Sequence, residues 1–403
     1  MFLPQVIKTQ IGKACNDVYM NRKFVLTIIL VAILVISTIV VLITRSHPPI
    51  EPAEKIGAYY YIWWGIGINN HWVKDDIKGT TFLGYYNSSD SRVADQHILF
   101  AKQHKIDFFA VSWIGRGDWI DWDFDDIDQN LRSGLLEAPH LKDFNFCLFY
   151  ETVLVLDNAF NEHQNFTEIF INDMLYAAQR YFTNPSYLRV NGEPVLFIYN
   201  IPYLYQKLPV QSVHWLLDYV RQQLAVNGVN LYIIGDMGGG PSPANLNSDW
   251  LYSMNATTSY FFSDPGKGWN GVLEDARTYY PQWQSTMNSK GIGFVPNVYP
   301  GFNNTNNTNV SPPWAVLPRN EAKFRDMLEV ALDYTDSNLG IAMITSWNEW
   351  MEGTTIEPSM EEGELFLHVV YDIVPEFPSF LILPLFMIAT LLAVIAYKRK
   401  HSK

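Results

Sequence analysis

Cysteine is nearly absent from this sequence. Cys15 and Cys147 are the two in 403 residues, one ahead of an apolar run and one inside a strand-like run. No disulfide framework is built from such a pair, and neither belongs to a Cys/His pattern with metal-ligand spacing. No metal or cofactor is expected. Phosphate-binding signatures are missing as well. Gly235-Asp236-Met237-Gly238-Gly239-Gly240 is glycine-rich, but it lacks the Lys-Ser/Thr of a P-loop and the strand–turn–helix order of a dinucleotide fingerprint. It reads as a loop near a barrel mouth. Asp118, Asp121, Asp123, Asp125, Asp126 and Asp128 crowd one segment without the EF-hand order, so they read as a solvated acidic face. Positive charge is scarce in the middle of the chain. Residues 46–376 hold 19 Lys/Arg against 40 Asp/Glu, a net of −21. That surface repels nucleic acid and anionic lipid and is compatible with uncharged sugars.

Long apolar runs are confined to the two ends. Residues 24–44 are 21 positions without a charge, which span ~30 Å as a helix, the thickness of a bilayer core. Arg22 and Lys23 precede the run, with Lys8 and Lys13 upstream, and only Arg45 follows. The positive-inside rule puts the N-terminus in the cytoplasm. A cleaved signal peptide is the rival, but the run is long and ends without a small-residue cleavage pattern. A second run, 379–397, contains Pro384 and is closed by Lys398-Arg399-Lys400. The expected organisation is a cytoplasmic 1–23, a transmembrane helix 24–44, a linker 45–55, a globular domain 56–373, the box 374–378, a transmembrane helix 379–397 and a basic cytoplasmic tail 398–403. The domain is then extracytoplasmic and both termini are cytoplasmic. Sequons at Asn87, Asn165, Asn255, Asn303, Asn306 and Asn309 fit a glycosylated outer surface. The ending Val374-Pro375-Glu376-Phe377-Pro378 with its helix and basic end resembles archaeal surface-protein tails. That resemblance implies a sortase-like processing enzyme as a partner; a plain second anchor is the other reading.

Between the ends, short apolar runs alternate with amphipathic stretches, the pattern of an α/β fold. Strands are expected at 56–63, 107–113, 144–150, 195–199, 231–235, 256–260, 294–297 and 341–347, the sixth being short and polar. Helices are expected near 91–104, 167–182, 211–226, 273–289 and 321–334. Eight strands with intervening helices predict a single (β/α)8 TIM barrel with its site at the C-terminal strand ends.

The last of those strand ends carries the chemistry. Ile344-Thr345-Ser346-Trp347-Asn348-Glu349-Trp350-Met351-Glu352-Gly353-Thr354-Thr355-Ile356-Glu357-Pro358 places Glu349 and Glu352 three residues apart among tryptophans. Two acids at that spacing can aim into one pocket if the chain turns helically. Aromatic walls suit the apolar faces of a pyranose, and the carboxylates can bind hydroxyls or move protons at a glycosidic oxygen. A capping turn with two solvated acids and packing tryptophans accounts for the same spacing.

This stretch resembles the signature I-T-S-F/W-N-E-W-H-E-G-T-x-I-E of the endo-α-mannosidase family, glycoside hydrolase family 99. Met351 stands where that family has His, and Glu357-Pro358 is closer to related polysaccharide-cluster proteins. Other pieces follow in the family's order. Tyr59-Tyr60-Tyr61-Ile62-Trp63-Trp64 with His71-Trp72 resembles its opening, and Val111-Ser112-Trp113 its V-V-S-W. Phe149-Tyr150-Glu151, Tyr260-Phe261-Phe262 and Pro296-Asn297-Val298-Tyr299-Pro300-Gly301-Phe302 resemble later segments, and Asn320 follows as in the family's N-x-R segment, although the Arg here is Arg319. The resemblance implies a barrel, an oligo- or polysaccharide substrate, and Glu352 and Glu349 as catalytic residues. His71, Trp113, Glu151, Tyr199, Tyr260, Tyr299, Asn348 and Trp350 are expected to line the site. Tyr60 and Tyr61 are both candidates, but strand alternation sends only one of them inward. Trp119 and Trp122 are further stacking candidates. The implied activity is endo-hydrolysis of an α-mannoside-like bond with retention, assisted by the sugar's own 2-hydroxyl. A glycan-binding barrel without catalysis and an envelope-polysaccharide assembly protein are the alternatives.

Overall fold

In a computed structural model, the chain is described over residues 55–65, 71–74, 76–117, 127–240, 242–305 and 315–374. The two expected membrane spans, the box from 375 onward, Cys15, Trp119 and Trp122 lie outside those residues. No helix among the described residues is long and apolar enough to cross a membrane.

Strand β1 (Lys55–Tyr60) leads through α1 (His71–Lys74) and α2 (Ser91–Gln103) to β2 (Phe108–Trp113). Helix α3 (Ile127–Ser133) precedes β3 (Asn145–Tyr150). Then come α4 (Thr152–Asn161), α5 (Phe166–Arg180), and a hairpin of β4 (Arg189–Val190) with β5 (Glu193–Ile198). Helices α6 (Ile201–Lys207) and α7 (Val210–Val226) lead to β6 (Tyr232–Asp236). Two 3-10 turns, Pro243–Asn245 and Ser248–Leu251, replace an α-helix before β7 (Ala256–Thr258). The chain continues as α8 (Gly268–Asn288), β8 (Gly293–Phe294), β9 (Asn297–Val298), α9 (Glu321–Asp333), β10 (Ile341–Ile344) and α10 (Leu365–Ile373).

Apart from the hairpin, all strand pairs are parallel, in the order β8-β7-β6-β5-β3-β2-β1-β10-β9. Strands β8 and β9 are halves of one run, 293–298. Gly293 pairs with Ala256 of β7, and Val298 pairs with Ile344 of β10. Between the halves, Val295 N donates to Thr257 O at 2.8 Å and Pro296 O accepts from Met343 N at 2.9 Å. Pro296 has no N–H, which interrupts the ladder there. The order of neighbours thus returns on itself, as in a TIM-like α/β fold.

Local chemistry explains the helix starts. Asp90, Asn165 and Asn320 cap α2, α5 and α9 by accepting from Arg92 N, Thr167 N and Lys323 N. Helix α2 turns Ala94, His97, Ile98 and Ala101 inward, the spacing of one buried face. Each expected strand and helix has a counterpart, with two systematic differences. The first and last strands stop at Tyr60 and Ile344, because the polar-aromatic residues beyond them bond as loops. Helices α1, α3, α4, α6 and α10 lack a predicted counterpart. The sequon residue Asn255 is built into the fold: its Oδ1 accepts from Ile233 N (2.9 Å) and Arg221 Nη2 (2.8 Å). Cys147 is a buried thiol in β3.

Candidate active site

The segment after β10 folds back on its own start. Ser346 N donates to Thr354 O (2.9 Å), Ile356 N to Ser346 O (2.9 Å), Glu357 N to Trp347 O (2.7 Å), and Thr355 Oγ1 also to Trp347 O (2.7 Å). These bonds close a neck and leave 348–353 as a displayed loop. Gly353 adopts φ +62°, where a side chain costs strain. The loop is pinned from outside by Lys78 N on Trp350 O (2.9 Å), Asn303 N on Glu352 O (2.7 Å) and Arg319 Nη1 on Gly353 O (2.8 Å). Arg319 is held by a fork to Glu362, at 3.0 Å from Nε and 2.6 Å from Nη2 to the same oxygen. Glu349 is buried; its N–H donates to Ser346 Oγ (2.8 Å) and its Oε1 accepts from Met351 N (2.9 Å). Glu352 is half-buried.

Asn348 locks this loop to strand β1. Its Oδ1 accepts from Tyr61 N at 2.7 Å, and its Nδ2 donates to Tyr61 O at 2.8 Å. A side-chain amide thereby imitates a strand neighbour one step past the end of the ladder, and it fixes Tyr61. Tyr61 OH donates to Tyr260 OH at 2.6 Å. The Tyr260 ring lies 5.8 Å from that of Tyr199 and 4.9 Å from Tyr59.

Electrostatics show which carboxylates gather here. Burial first, and then the neighbouring Tyr260, Glu151, Glu349 and Glu352, push the Tyr61 phenol well up. Tyr260 is raised by burial, Glu352 and Glu349, and Tyr199 by burial, Asp236, Glu151 and Glu352. All three glutamates therefore act on Tyr61, and two of them on each of Tyr260 and Tyr199. Burial pushes Glu352 up to about 7. Glu151 is also raised to about 7 by burial, opposed by the 2.7 Å bond from Ser112 Oγ and reinforced by the charge of Glu352. Asp236 is raised to about 6 by burial, although Tyr260 N, Asn200 N and Gly238 N donate to it. A protonated carboxylic acid near neutral pH is available for proton donation.

Of the expected site residues, Glu349, Glu352, Glu151, Tyr61, Tyr199, Tyr260 and Asn348 come together. His71 is buried beside them, 6.4 Å from the Trp63 ring, which lies 4.5 Å from Tyr61. Others lie elsewhere. Tyr60 faces α2: its hydroxyl meets His97 Nδ1 at 3.0 Å, and its ring stacks on Phe109. Trp113 packs on Tyr181 in the helix layer and donates to Asp128 at 3.1 Å. Asp128 is correspondingly no solvated acid; it is buried and accepts from Trp113, Tyr176, Tyr181 and Arg132. Tyr299 donates to Ser263 O (3.1 Å) beside Phe261. Trp350 packs with Trp64, Trp72 and Tyr86 and donates to Glu357 at 2.9 Å.

Two functional contributions escaped sequence reasoning. Ser112, the neighbour of Trp113, faces the acids, and alternation along β2 was the available signal. Glu357 is the other. Its buried carboxylate accepts from Thr81 Oγ1 (2.8 Å), Tyr86 OH (2.9 Å), Trp350 Nε1 (2.9 Å) and His97 Nε2 (3.1 Å). With its proton on Nε2, a neutral His97 donates to Glu357 and accepts from Tyr60 OH. No spacing rule joins residues 97 and 357.

Glu357→Ala would orphan four buried donors, at a cost of about 3–5 kcal/mol. Its denaturation midpoint is expected to drop sharply, with Glu357→Gln losing less; equilibrium urea unfolding of both variants checks this. Glu352 and Glu151 titrate higher in the folded chain than their ordinary 4.5. The folded state thus binds more protons between about pH 4.5 and 7, and stability declines as pH rises through that window. Glu352→Gln removes part of this cost, so its unfolding free energy is expected to exceed that of wild type at about pH 8, by on the order of 1–3 kcal/mol, and to match it near pH 4. Calorimetry at both pH values decides.

Comparison with known proteins places this geometry. The family model described as "Glycosyltransferase WbsX" matches residues 79–370. The mouse protein named "Glycoprotein endo-alpha-1,2-mannosidase" is 22% identical over 325 residues, covering 74% of this chain and 64% of that protein. The human "Glycoprotein endo-alpha-1,2-mannosidase-like protein" is 22% identical over 369 residues, covering 81% and 73%. The chain therefore matches about two thirds to three quarters of the length of these relatives. A solved GH99 endo-alpha-mannosidase from Bacteroides thetaiotaomicron superposes with a TM-score of 0.57 at 19% identity, over 79% of this chain and 96% of that one. A structure described as "Glycoside hydrolase-like protein" gives 0.62 at 18% identity, over 80% and 94%. These likenesses carry the fold. With the family model spanning most of the described domain, the chain belongs to the WbsX family and is a relative of the endo-α-mannosidases of glycoside hydrolase family 99.

Proposed function

We propose that this protein is a membrane-anchored, extracytoplasmic glycoside hydrolase that cleaves α-mannoside-like bonds within a glycan chain and retains anomeric configuration. The observation that carries the reading is the gathering of Glu349, Glu352 and Glu151 around Tyr61, with Glu349 and Glu352 also facing Tyr260, at the C-terminal end of the strands. Glu352, raised to about 7, suits the general acid. Glu349 takes the proton of the sugar's 2-hydroxyl, whose oxygen attacks the anomeric carbon as the glycosidic bond breaks. Glu352 gives its proton to the departing oxygen. In the second half, Glu352 takes a proton from water, water attacks the anomeric carbon and reopens the three-membered ring, and Glu349 returns the proton to the 2-oxygen. The sum is hydrolysis with two inversions. Asn348 and Ser346 position the acids, and the tyrosines offer the sugar aromatic faces and hydroxyls. The expected anchors at 24–44 and 379–397 and the acidic body between them support an outward-facing domain acting on neutral glycan.

The family name favours a second reading, in which a sugar hydroxyl replaces water in the second half and the product is transferred rather than hydrolysed. Cleavage assays run with and without an excess of acceptor oligosaccharide separate the two, since transfer gives longer products. Binding without either product would leave a glycan-binding barrel.

Acid/base assistance contributes about 10²–10⁴-fold. Glu352→Gln and Glu349→Gln are each expected to lower kcat on defined α-linked mannose oligosaccharides by at least about 10²-fold with little change in KM. A wild-type rate in either variant refutes its assignment, and NMR of the first product reads the anomer. The acid must be protonated, so kcat/KM is expected to fall as pH rises through about 7. Glu151→Gln removes a neighbouring negative charge and makes Glu352 easier to ionise, so the alkaline limb should move to lower pH. A pH–rate profile of this variant measures the shift.

A further inference from the structure

We propose that His104, Glu364 and His368 form a site for a divalent cation of the zinc class, which clips the end of α2 to the first turn of α10. One ligand atom from each residue lies within 4.8 Å of the others. The set comes from two segments far apart in sequence. His104 is the C-cap of α2, Glu364 is the N-cap of α10, and His368 N donates to Glu364 O at 2.9 Å, which places the last two one turn apart on one face.

Hydrogen bonding around His104 supplies the argument for a cation. Its Nδ1 lies 2.8 Å from Phe100 O. A carbonyl only accepts, so Nδ1 carries a proton. In the neutral ring Nε2 then has a lone pair and no hydrogen, yet it faces Glu364 Oε2 at 3.3 Å. Two acceptors facing each other need a proton or a metal ion between them. The His368 ring stands 5.2 Å from that of His104 and adds a third donor, which an imidazolium–carboxylate pair does not need. A metal-bound histidine whose other nitrogen donates to a backbone carbonyl is the usual supporting arrangement. Two imidazoles and one carboxylate suit zinc or another late divalent ion, with water completing the set on the solvent side, where His368 is exposed. Bound zinc holds its donors at about 2.0–2.2 Å, so binding would draw Glu364 and His368 inward from their present spacing. The nearby ammonium of Lys105 is directed to Tyr371 O and Val374 O, 2.7 Å from each.

The test uses the purified full chain, stripped with a chelator and titrated with Zn²⁺ against a chromophoric competitor. One Zn²⁺ per chain is expected, with Tm rising on binding. His368→Ala and Glu364→Gln change exposed or half-exposed side chains; both are expected to fold, by circular dichroism, while weakening Zn²⁺ binding at least about tenfold. Co²⁺ in place of Zn²⁺ should give visible d–d bands in wild type that are lost in both variants. Absence of binding tighter than about 100 μM, or binding and Co²⁺ spectra unchanged in both variants, overturns the site and leaves a plain His104–Glu364 contact.

Discussion

The buried carboxylate of Glu357 is the constraint on which the functional end of this barrel depends. Charge in a low-dielectric interior persists only where donors replace water. Glu357 has four, drawn from three separated stretches: the segment around Thr81 and Tyr86, helix α2 through His97, and the acid loop through Trp350. Those stretches are brought to one point because the alternative is an unsatisfied charge. Asn348 then ties the same loop to Tyr61, and Arg319 ties it to Glu362. The loop that displays Glu349 and Glu352 is consequently held on every side by polar bonds rather than by apolar contact alone.

The acids at the centre are treated differently. Glu151 and Glu352 are desolvated without comparable compensation, and both are pushed to about 7. A scaffold that satisfies one set of carboxyls and leaves another set strained against ionisation separates structure from chemistry. The stability given up at the second set is the expected companion of a proton-transfer site.

Much of this was legible in the sequence, for physical reasons. Apolar runs buried on both faces identify parallel strands, so each expected strand has a counterpart and the TIM-like order follows. The motif at 344–358 resembles a known family closely enough to locate the acids. What escaped was direction. Tyr60 and Tyr61, Trp113 and Ser112, Tyr150 and Glu151 are neighbours that point to opposite sides of the sheet; composition cannot choose between the two tyrosines, and it favours Trp113 over Ser112 for a sugar site. Tyr60 and Trp113 face the helix layer, and Trp350 packs with Trp64, Trp72 and Tyr86. The His97–Glu357 bond was illegible for another reason: it joins positions far apart in the chain, with nothing local to mark either. The short helices α4 and α6 were hidden because no more than two residues separate each from the preceding strand, leaving Glu151 or Asn200 to mark the change.

The alternation of β1 has a consequence for how this protein can vary. Tyr59, Tyr60 and Tyr61 are chemically alike, yet the first fills the barrel, the second serves a histidine in the outer layer, and the third meets the acids. Gain or loss of a single codon in that stretch would preserve the composition while exchanging every role, and Asn348 would grip the wrong peptide. Diversification of this end of the molecule is therefore channelled into substitutions at fixed length, with insertions confined to the connections beyond the strand ends.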